Sequence, residues 1–265
     1  MSKKVTYGFE FEIANMSTDD IADAVQEHTD LRVLDIGYTH NECEYWKSVQ
    51  DGSCGSELVS RILARDVFTE INTALKAVKL EGAKIDRNCG LHVHIGGNYD
   101  NGDVFIQDMD LLYINWYAMH SALNGLVSPS RINNRYTESL TEQQVRNRVD
   151  YGLSSWIADH EWRDSARYVS LNILPMAKYP TVEFRLHQGT LNPAKAIAWA
   201  SLCEAFIHLS NSGIDLSSGI LPIRLFKGRV KDMTSKDEAK ILINYLMDNG
   251  YLSTAAGNYL LTYKI

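Results

Sequence analysis

Hydrophobic and polar residues alternate along several short segments, and this period of two is typical of β-strands with one buried face. In residues 4–13 every second side chain is apolar or aromatic, while Glu10 and Glu12 occupy the opposite face. Residues 91–95 and 181–187 alternate in the same way. Two further strands are predicted at 45–49 and 168–173.

Apolar residues recur every three to four positions in other segments, which predicts amphipathic helices. The clearest case is 65–80, where the predicted buried stripe is Phe68, Ile71, Leu75 and Val78. A second helix is expected after Ser17, because Ser17 and Asp20 resemble a capping box. Further helices are predicted at 108–126, from Pro193 to about Ser210 after an Asn192 cap, and at 236–248.

These strands and helices alternate irregularly, without the strand–helix–strand rhythm of a parallel sheet. The order favours an α+β fold, in which helices cover one face of a largely antiparallel sheet. Because no repeat or flexible linker divides the chain, we expect one domain over 1–265. Within it, 128–164 is predicted to be a polar, helix-containing excursion that selects substrate, and 234–265 a helical tail.

The polar faces of the predicted strands carry an unusual set of side chains. Glu10 and Glu12 are joined by three further sets on other strands: His92 and His94; Glu183, Arg185 and His187; and Ser170 and Asn172. A solvated outer face is the ordinary interpretation of one such strand. Several strands that collect Glu and His with one Arg instead favour a site for cations and phosphate, since cations relieve repulsion between neighbouring carboxylates. We therefore predict a metal site, with His187 as a structural neighbour.

Charge and composition narrow the classes of partner. The chain has 265 residues, a net charge of −7 and 45% hydrophobic residues, which is ordinary for a globular protein. A surplus of acid argues against binding a nucleic-acid backbone. No apolar run is long enough to span a bilayer, and "MSKKVTYGFE" lacks a hydrophobic signal core. We therefore expect a cytoplasmic protein, in a host cytoplasm if the source is viral.

The cysteines show neither a metal-binding spacing nor a dense framework. They lie at Cys43, Cys54, Cys89 and Cys203. Reduced thiols are the expectation for a cytoplasmic chain with this pattern. The sequence also lacks a GxxxxGK[ST] loop, so any use of ATP would not depend on a P-loop.

Five segments resemble the amidoligase family, whose members are carboxylate–amine ligases related to glutamine synthetase and γ-glutamylcysteine ligase. They are "YGFEFE", "WKSVQDGSCGSELVS", "CGLHVHIG", "RYVSLNI" and "TVEFRLHQGTLNP", in the family's order over about 7–199. The resemblance implies a curved antiparallel sheet with helices on its convex face and the active site on its concave face. It also implies ATP, two or three Mg²⁺ (or Mn²⁺) ions and an acyl-phosphate intermediate, and a bacteriophage or bacterial source.

The resemblance also implies roles for individual residues. The metal ligands would be Glu10, Glu12, Glu57, His92 and Glu183. Arg185 would steady the transferred phosphoryl group, and Arg167 would act with it, although strand parity turns Arg167 away from the site. His94, Asn172, Asp51 and Ser53 would contact substrate or ATP, the last two with the alternative of only shaping a turn.

Two other classes of function remain open at this point. A zinc hydrolase could use His92, His94 and a glutamate, but it would leave the Glu183–Arg185 strand unexplained. A non-catalytic protein that kept the fold is the other alternative. The sequence does not identify the acid or the amine, which could be small molecules, peptides or protein side chains, and Arg131, Arg135 and Arg148 are candidates for holding the acid.

Overall fold

The computed structural model describes residues 3–37, 44–64, 66–99, 104–132, 134–161, 163–226 and 233–262. Its strands are β1 (Lys3–Ile13), β2 (Val33–Asp35), β3 (Trp46–Asp51), β4 (Gly55–Val59), β5 (Gly90–Tyr99), β6 (Leu171–Asn172) and β7 (Thr181–Gln188). Its α-helices are α1 (Thr18–His28), α2 (Val67–Leu80), α3 (Met109–Ala118), α4 (His120–Asn124), α5 (Glu142–Tyr151), α6 (Leu153–His160), α7 (Pro193–Asn211), α8 (Ser235–Asp248) and α9 (Thr254–Thr262). Short 3₁₀ helices lie at Pro129–Arg131, Asp164–Arg167, Leu174–Ala177 and Leu216–Ser218.

The described strands form one mixed sheet in the order β2-β3-β4-β1-β5-β7-β6. Only the pair of β2 and β3 is parallel among these described strands, and the other neighbours are antiparallel. The long strand β1 lies at the centre, where β4 and β5 pair with it on either side. The predicted mixture of helices with a largely antiparallel sheet is confirmed.

Side-chain caps fix the ends of the helices. The Ser17 side chain accepts a hydrogen bond from the backbone of Asp20, whose carboxylate accepts one in return from Ser17, so the predicted capping box is present. Asn192 caps α7 by accepting from Lys195 N at 3.2 Å, with Pro193 in the first turn. These local signals explain why both helices begin where the sequence predicted.

The apolar face of the sheet packs against helices and forms the core. Phe9, Val93 and Phe184 are each fully buried, as the alternation predicted. Trp116 of α3 lies over this face, with its ring centroid 4.8 Å from Phe184 and 6.2 Å from Trp199 of α7. Such aromatic contacts fix how the helical layer sits on the sheet, so the opposite, polar face is left for chemistry.

A bulge in β7 interrupts its alternation. Leu91 pairs with His187 and Val93 with Phe184, so β7 has one more residue than β5 between the two pairs. His187 is therefore carried to the helical side, where its ring centroid lies 4.9 Å from that of Trp199. The expectation that His187 shares a face with Glu183 and Arg185 was wrong, while its structural role follows from its burial.

Other local expectations were also wrong. The helix predicted at 108–126 is divided into α3 and α4, and Phe68, predicted to be buried in α2, is 50% exposed. The strand predicted at 168–173 is reduced to β6, and Ser170 faces the helices, because its hydroxyl accepts a hydrogen bond from Trp116 Nε1. The single domain over 1–265 stays a prediction.

Two of the cysteines are not reduced thiols. Cys54 and Cys89 are joined in a disulfide, and the expectation of free thiols was wrong for this pair. Their separation of 35 residues gave no signal in the sequence, because the sheet alone brings them together. Cys203 is free and buried, and Cys43 lies outside the described residues.

Within the described ranges, every helix is too short or too polar to cross a membrane.

Buried His187 should make the free energy of unfolding depend on pH. Burial, reinforced by Lys195, lowers the pKa of His187 to about 3, so the folded protein holds the neutral ring. The unfolded chain takes up a proton below its ordinary pKa of about 6.5, and this contribution to stability is lost as pH falls through that value. From pH 7.5 to 5.5 the wild type should lose about 1 kcal/mol more than His187→Asn, measured by urea denaturation.

Asparagine keeps a donor for the Gln188 carbonyl, which the His187 ring contacts at 2.6 Å, but it cannot titrate. Equal losses in the two proteins would show that His187 is already neutral in the unfolded chain or charged in the fold.

Candidate active site

The register of the central strands gathers the predicted acidic and imidazole side chains on one face. Glu10 of β1 lies opposite His92 of β5, and Glu12 lies opposite Glu57 of β4. Directly paired residues on one face of an antiparallel sheet have side chains close enough to interact. The alternation within each strand and the pairing between strands therefore combine to build one cluster.

The same face continues across β5, β7 and β6. His94 pairs with Glu183, and Glu183 pairs in turn with Asn172. The Asn172 amide donates to Glu183 Oε2 at 2.7 Å. The Asn172 side chain, which the family resemblance assigned to substrate or ATP, thus contacts Glu183, a predicted metal ligand.

Glu10 is held between the two histidines. Its carboxylate oxygens lie 2.8 Å from His92 Nδ1 and 3.3 Å from His94 Nε2. Although burial opposes its charge, these hydrogen bonds hold the pKa of Glu10 well below its usual range. Although burial also opposes the charge of His94, the Glu10 hydrogen bond raises the pKa of that ring. This part of the cluster is electrostatically balanced by its own residues.

Glu183 is balanced by a guanidinium. Arg185, which is 8% exposed, donates through Nη1 to Glu183. Burial by itself would raise the pKa of Glu183, but the Arg185 charge lowers it below its usual value. Arg185 Nε is buried without a hydrogen-bond partner among the described residues. Arg185 therefore has a donor to spare for an anion in the site.

Glu12 and Glu57 form a more acidic corner. Burial raises the pKa of both carboxyl groups, and that of Glu57 is raised further by repulsion from Glu10, Glu12 and Asp51. Glu12 accepts a hydrogen bond from Gly90 N at 2.6 Å, which fixes its position. Because negative charge exceeds positive charge here, this corner is the part of the cluster best suited to a cation.

Asp51 completes the acidic corner, while Ser53 shapes the turn that holds it. The backbone amides of Ser53 and Cys54 donate to Asp51 Oδ1 at 2.7 Å each, and the Ser53 hydroxyl donates to the same oxygen at 2.5 Å. All three bonds reach Oδ1, so the turn does not use Oδ2. Asp51 is therefore oriented toward the cluster, and Ser53 acts through Asp51.

Within this cluster, three sets of three side chains bring ligand atoms close enough together to hold a metal ion. In each set one ligand atom per residue lies within 4.8 Å of the others: Glu10, His94 and Glu183; Glu10, Glu57 and His92; and Glu12, Asp51 and Glu57. The third set offers only carboxylate oxygens, which suits Mg²⁺, and the two mixed sets also suit Mn²⁺. The donor chemistry therefore fits the implied ions. These sets contain all five predicted metal ligands, together with Asp51 and His94.

The cluster, apart from Glu12, forms the floor of a cavity of about 380 Å³. Another wall comes from the 3₁₀ helices and the loop after α6, and it contributes Glu161, Arg163, Arg167, Lys178 and Tyr179. Three of these side chains are cationic, so the cavity has an acidic floor and a largely basic wall. A ligand that carries both metal-binding phosphate oxygens and further negative charge complements this arrangement.

Arg167 lines the cavity, although strand alternation predicted that it would face away from the site. It ends the 3₁₀ helix Asp164–Arg167, so the alternation of a strand does not apply to it. Two arginines of the excursion at 128–164 form hydrogen bonds within the protein instead. Arg131 is buried and donates to the Arg185 carbonyl at 2.9 Å, and Arg148 donates to the Tyr113 hydroxyl at 2.7 Å. Arg135 remains exposed beside Tyr136.

A second, more apolar groove adjoins the cavity at the Gly8 end of β1. It is lined by Gly8, Val59, Ile62 and Thr181, and it shares Lys47 and Tyr179 with the cavity. Sequence reasoning missed Lys47 and Tyr179 as site residues. Strand alternation could have found Lys47, because it places Lys47 and Asp51 on the same face of β3. Tyr179 lies in a loop, where no periodicity could indicate it.

A family model described as "Putative amidoligase enzyme" matches residues 3–207. This range includes every element that lines the cavity. No curated protein matches the chain at a significant level.

Among solved structures, the chain is similar to one described as the complex between the prokaryotic ubiquitin-like protein Pup and its ligase PafA. The sequences are 10% identical, and the TM-score is 0.48. The similarity covers 97% of this chain and 64% of that chain, so this chain spans less than two thirds of its length.

Opposite stability changes should follow from neutralising two carboxylates of the cluster. With EDTA present at pH 7.5, Glu57→Gln should raise the free energy of unfolding by about 1 kcal/mol, because it removes repulsion. Glu10→Gln is the matched control and should lower it by about 1 kcal/mol, because it removes charge-assisted hydrogen bonds from His92 and His94. Urea denaturation measures both, and changes of the same sign would contradict the asymmetry of the cluster.

Proposed function

This chain belongs to the amidoligase family, and on that premise we propose that it is an ATP-dependent carboxylate–amine ligase. The observation that carries the proposal is the grouping of three metal-ligand sets with Arg185 on the floor of one cavity. Its substrates would be ATP, a carboxylic acid and an amine. The amide bond would form in two steps, through an acyl phosphate.

In the first step the γ-phosphoryl group passes from ATP to an oxygen of the substrate carboxylate, and ADP leaves. In the second step the amine nitrogen attacks the acyl carbon, phosphate leaves and the nitrogen loses a proton. Both steps concentrate negative charge on phosphoryl oxygens. Bound Mg²⁺ or Mn²⁺ would supply positive charge that neutralises those oxygens.

The residues that would hold the ions differ in how far contacts within the protein already orient them. Glu10, His92, His94 and Glu183 are already oriented by hydrogen bonds and ion pairs to one another and to Arg185. The acidic corner of Glu12, Asp51 and Glu57 would hold a further ion through oxygen alone. Two carboxylates, those of Glu10 and Glu57, each belong to two of the three sets, so the same residues would help to hold more than one ion.

Arg185 would act on the transferred phosphoryl group. Its guanidinium is planar, and the Glu183 carboxylate fixes one edge of it. The buried Nε donor is available for a phosphoryl oxygen. Arg167, which lines the same cavity, would act with it, so that two guanidinium groups would contact the phosphoryl oxygens.

The groove beside Gly8 would hold the nucleoside end of ATP. It joins the metal cluster directly, it is mostly apolar, and Lys47 and Tyr179 lie where it meets the cavity. A flat base needs an apolar slot, and the phosphates that follow it need cations. The acid and the amine would then meet the cluster from the side of the excursion at 128–164.

The arrangement of the histidines distinguishes this proposal from a zinc hydrolase. Among the metal-ligand sets of the described residues, His92 and His94 belong to different sets, each completed by carboxylates. A catalytic zinc site that used both histidines would need them in one set. The charge on Arg185 would also be unexplained in such an enzyme.

Release of ADP from ATP and Mg²⁺ in the presence of pooled acids and amines tests the function. We expect ADP only when an acid is present, and an amide product by mass spectrometry when an amine is added. Thermal shift should also exceed the sum of the separate shifts when ATP and Mg²⁺ are added together, because the ions bridge protein carboxylates and phosphate. A nucleotide shift that survives excess EDTA, or zinc bound stoichiometrically without ATP binding, would contradict the proposal.

Arg185→Lys should reduce kcat much more than it alters KM for ATP. Lysine keeps the charge but loses the planar pair of donors, so the loss falls on the transition state. A lost contact of about 3–4 kcal/mol corresponds to roughly a hundred- to thousand-fold in kcat. Steady-state kinetics with varied ATP measure both constants.

The matched control is Arg146→Lys, the same change at an exposed ion pair with Glu142. It should leave kcat and KM unaltered. If Arg185→Lys were equally silent, Arg185 would be only a structural partner of Glu183.

A further inference from the structure

The Cys54–Cys89 disulfide lies beside the acidic corner of the cluster. Cys54 belongs to the turn between β3 and β4, and Cys89 immediately precedes β5. The bond therefore joins two segments that are 35 residues apart. Each of these segments donates a backbone hydrogen bond to one carboxylate of the set formed by Glu12, Asp51 and Glu57.

On the turn side, the disulfide is part of the local structure that orients Asp51. The backbone amide of Cys54 donates directly to Asp51 Oδ1 at 2.7 Å. On the other side, Gly90, the residue after Cys89, donates its amide to Glu12 Oε2 at 2.6 Å. The cross-link therefore connects the turn that bonds to the Asp51 carboxylate with the backbone that bonds to the Glu12 carboxylate.

The two ends of the cross-link are not equally secured by other contacts. The Cys89 carbonyl accepts a hydrogen bond from Gly189 N at 2.7 Å, and the close approach leaves no room for a side chain at Gly189. The turn around Cys54 consists of residues 52–54 between β3 and β4, and both Gly52 and the first residue of β4, Gly55, are exposed. Opening the disulfide would therefore loosen the Asp51 turn while β5 stays in place.

A reductant can approach the bond from the surface. A cleft of about 350 Å³ is lined by Gly52 and Ser53 on the Cys54 side, by Asn88 on the Cys89 side, and by residues 134–136. Cys54 itself is partly exposed. The disulfide is thus next to open solvent, although Cys89 is fully buried.

We propose that the Cys54–Cys89 disulfide controls cation binding at the site of Glu12, Asp51 and Glu57. A dithiol reductant would transfer two electrons and two protons, so that the S–S bond becomes two thiols and the reductant becomes a disulfide. The released turn no longer holds Asp51 at a fixed distance from Glu12, and the affinity of that site for a divalent ion falls. The effect of this control on turnover rests on the proposed ligase function, whereas ion binding can be measured without it.

Titration of the full chain with Mn²⁺ alone, in oxidised and reduced forms, tests this control. Diamide prepares the oxidised form, a phosphine the reduced form, and both reagents are removed before free Mn²⁺ is measured by electron paramagnetic resonance. We expect one Mn²⁺ site, that of Glu12, Asp51 and Glu57, to bind about tenfold more weakly after reduction, because rigidity of the ligand set is lost. Hydrogen exchange should show faster exchange at 51–55 and unaltered exchange in β7.

Variants separate this bond from other thiols. Cys54→Ser should bind Mn²⁺ like the reduced wild type under both conditions, whereas Cys43→Ser and Cys203→Ala should respond to reduction as the wild type does. Asp51→Asn should also be insensitive to reduction, because the control acts through that carboxylate. Thiol titration of the unfolded chain checks that the oxidised form holds the Cys54–Cys89 bond, and failure to form it would overturn the proposal.

The outcomes distinguish this control from the ligase function. Identical Mn²⁺ isotherms in the two forms, together with ADP release and amide formation, would overturn the redox control and leave the ligase function standing. Absence of Mn²⁺ binding in both forms would overturn both proposals. A redox-dependent isotherm without ligase activity would support the control of ion binding and count against the proposed function.

Discussion

The crowding of carboxylates on the polar face of the sheet is the constraint on which the rest of the structure depends. Two unit charges 4 Å apart repel by about 1 kcal/mol in water and by about 4 kcal/mol near a protein surface. The summed repulsion of several such pairs is large compared with the free energy of unfolding of an ordinary domain. The apolar face must therefore hold the strands in place independently, and the packing of Trp116 against Phe184 and the helical layer does so.

The sequence predicted this cluster wherever the strands are regular. Alternation in β1 and β5 placed Glu10, Glu12, His92 and His94 correctly, because a period of two is kept as long as the ladder is uninterrupted. It failed for His187, since a bulge is set by pairing between strands and has no local signature in "TVEFRLHQGT". The family resemblance, not parity, pointed to Arg167, because this residue ends a 3₁₀ helix just before the expected strand and so does not follow strand alternation.

Contacts between segments that are distant in the chain were the other feature that the sequence could not predict. The string "DGSCGS" indicated a turn, but whether Asp51 and Ser53 only shape that turn was left open. The fold places the two residues differently, since Ser53 bonds to Asp51 and Asp51 lies beside Glu12 and Glu57, while contact with a ligand stays a prediction. The cysteine pair was likewise invisible, because connectivity over 35 residues depends on the sheet that brings Cys54 to Cys89.

The two halves of the cluster differ in what balances their charge. Glu10 and Glu183 are neutralised by groups of the protein itself, the two histidines and Arg185, and their pKa values are lowered accordingly. Glu12 and Glu57 have raised pKa values, because burial and mutual repulsion outweigh the few donors nearby. An ion at the balanced half replaces contacts that already exist, whereas an ion at the acidic corner relieves repulsion that the chain cannot relieve alone. The acidic corner is therefore where affinity responds most to a change in ligand spacing, and the segments that set this spacing are those that the disulfide joins.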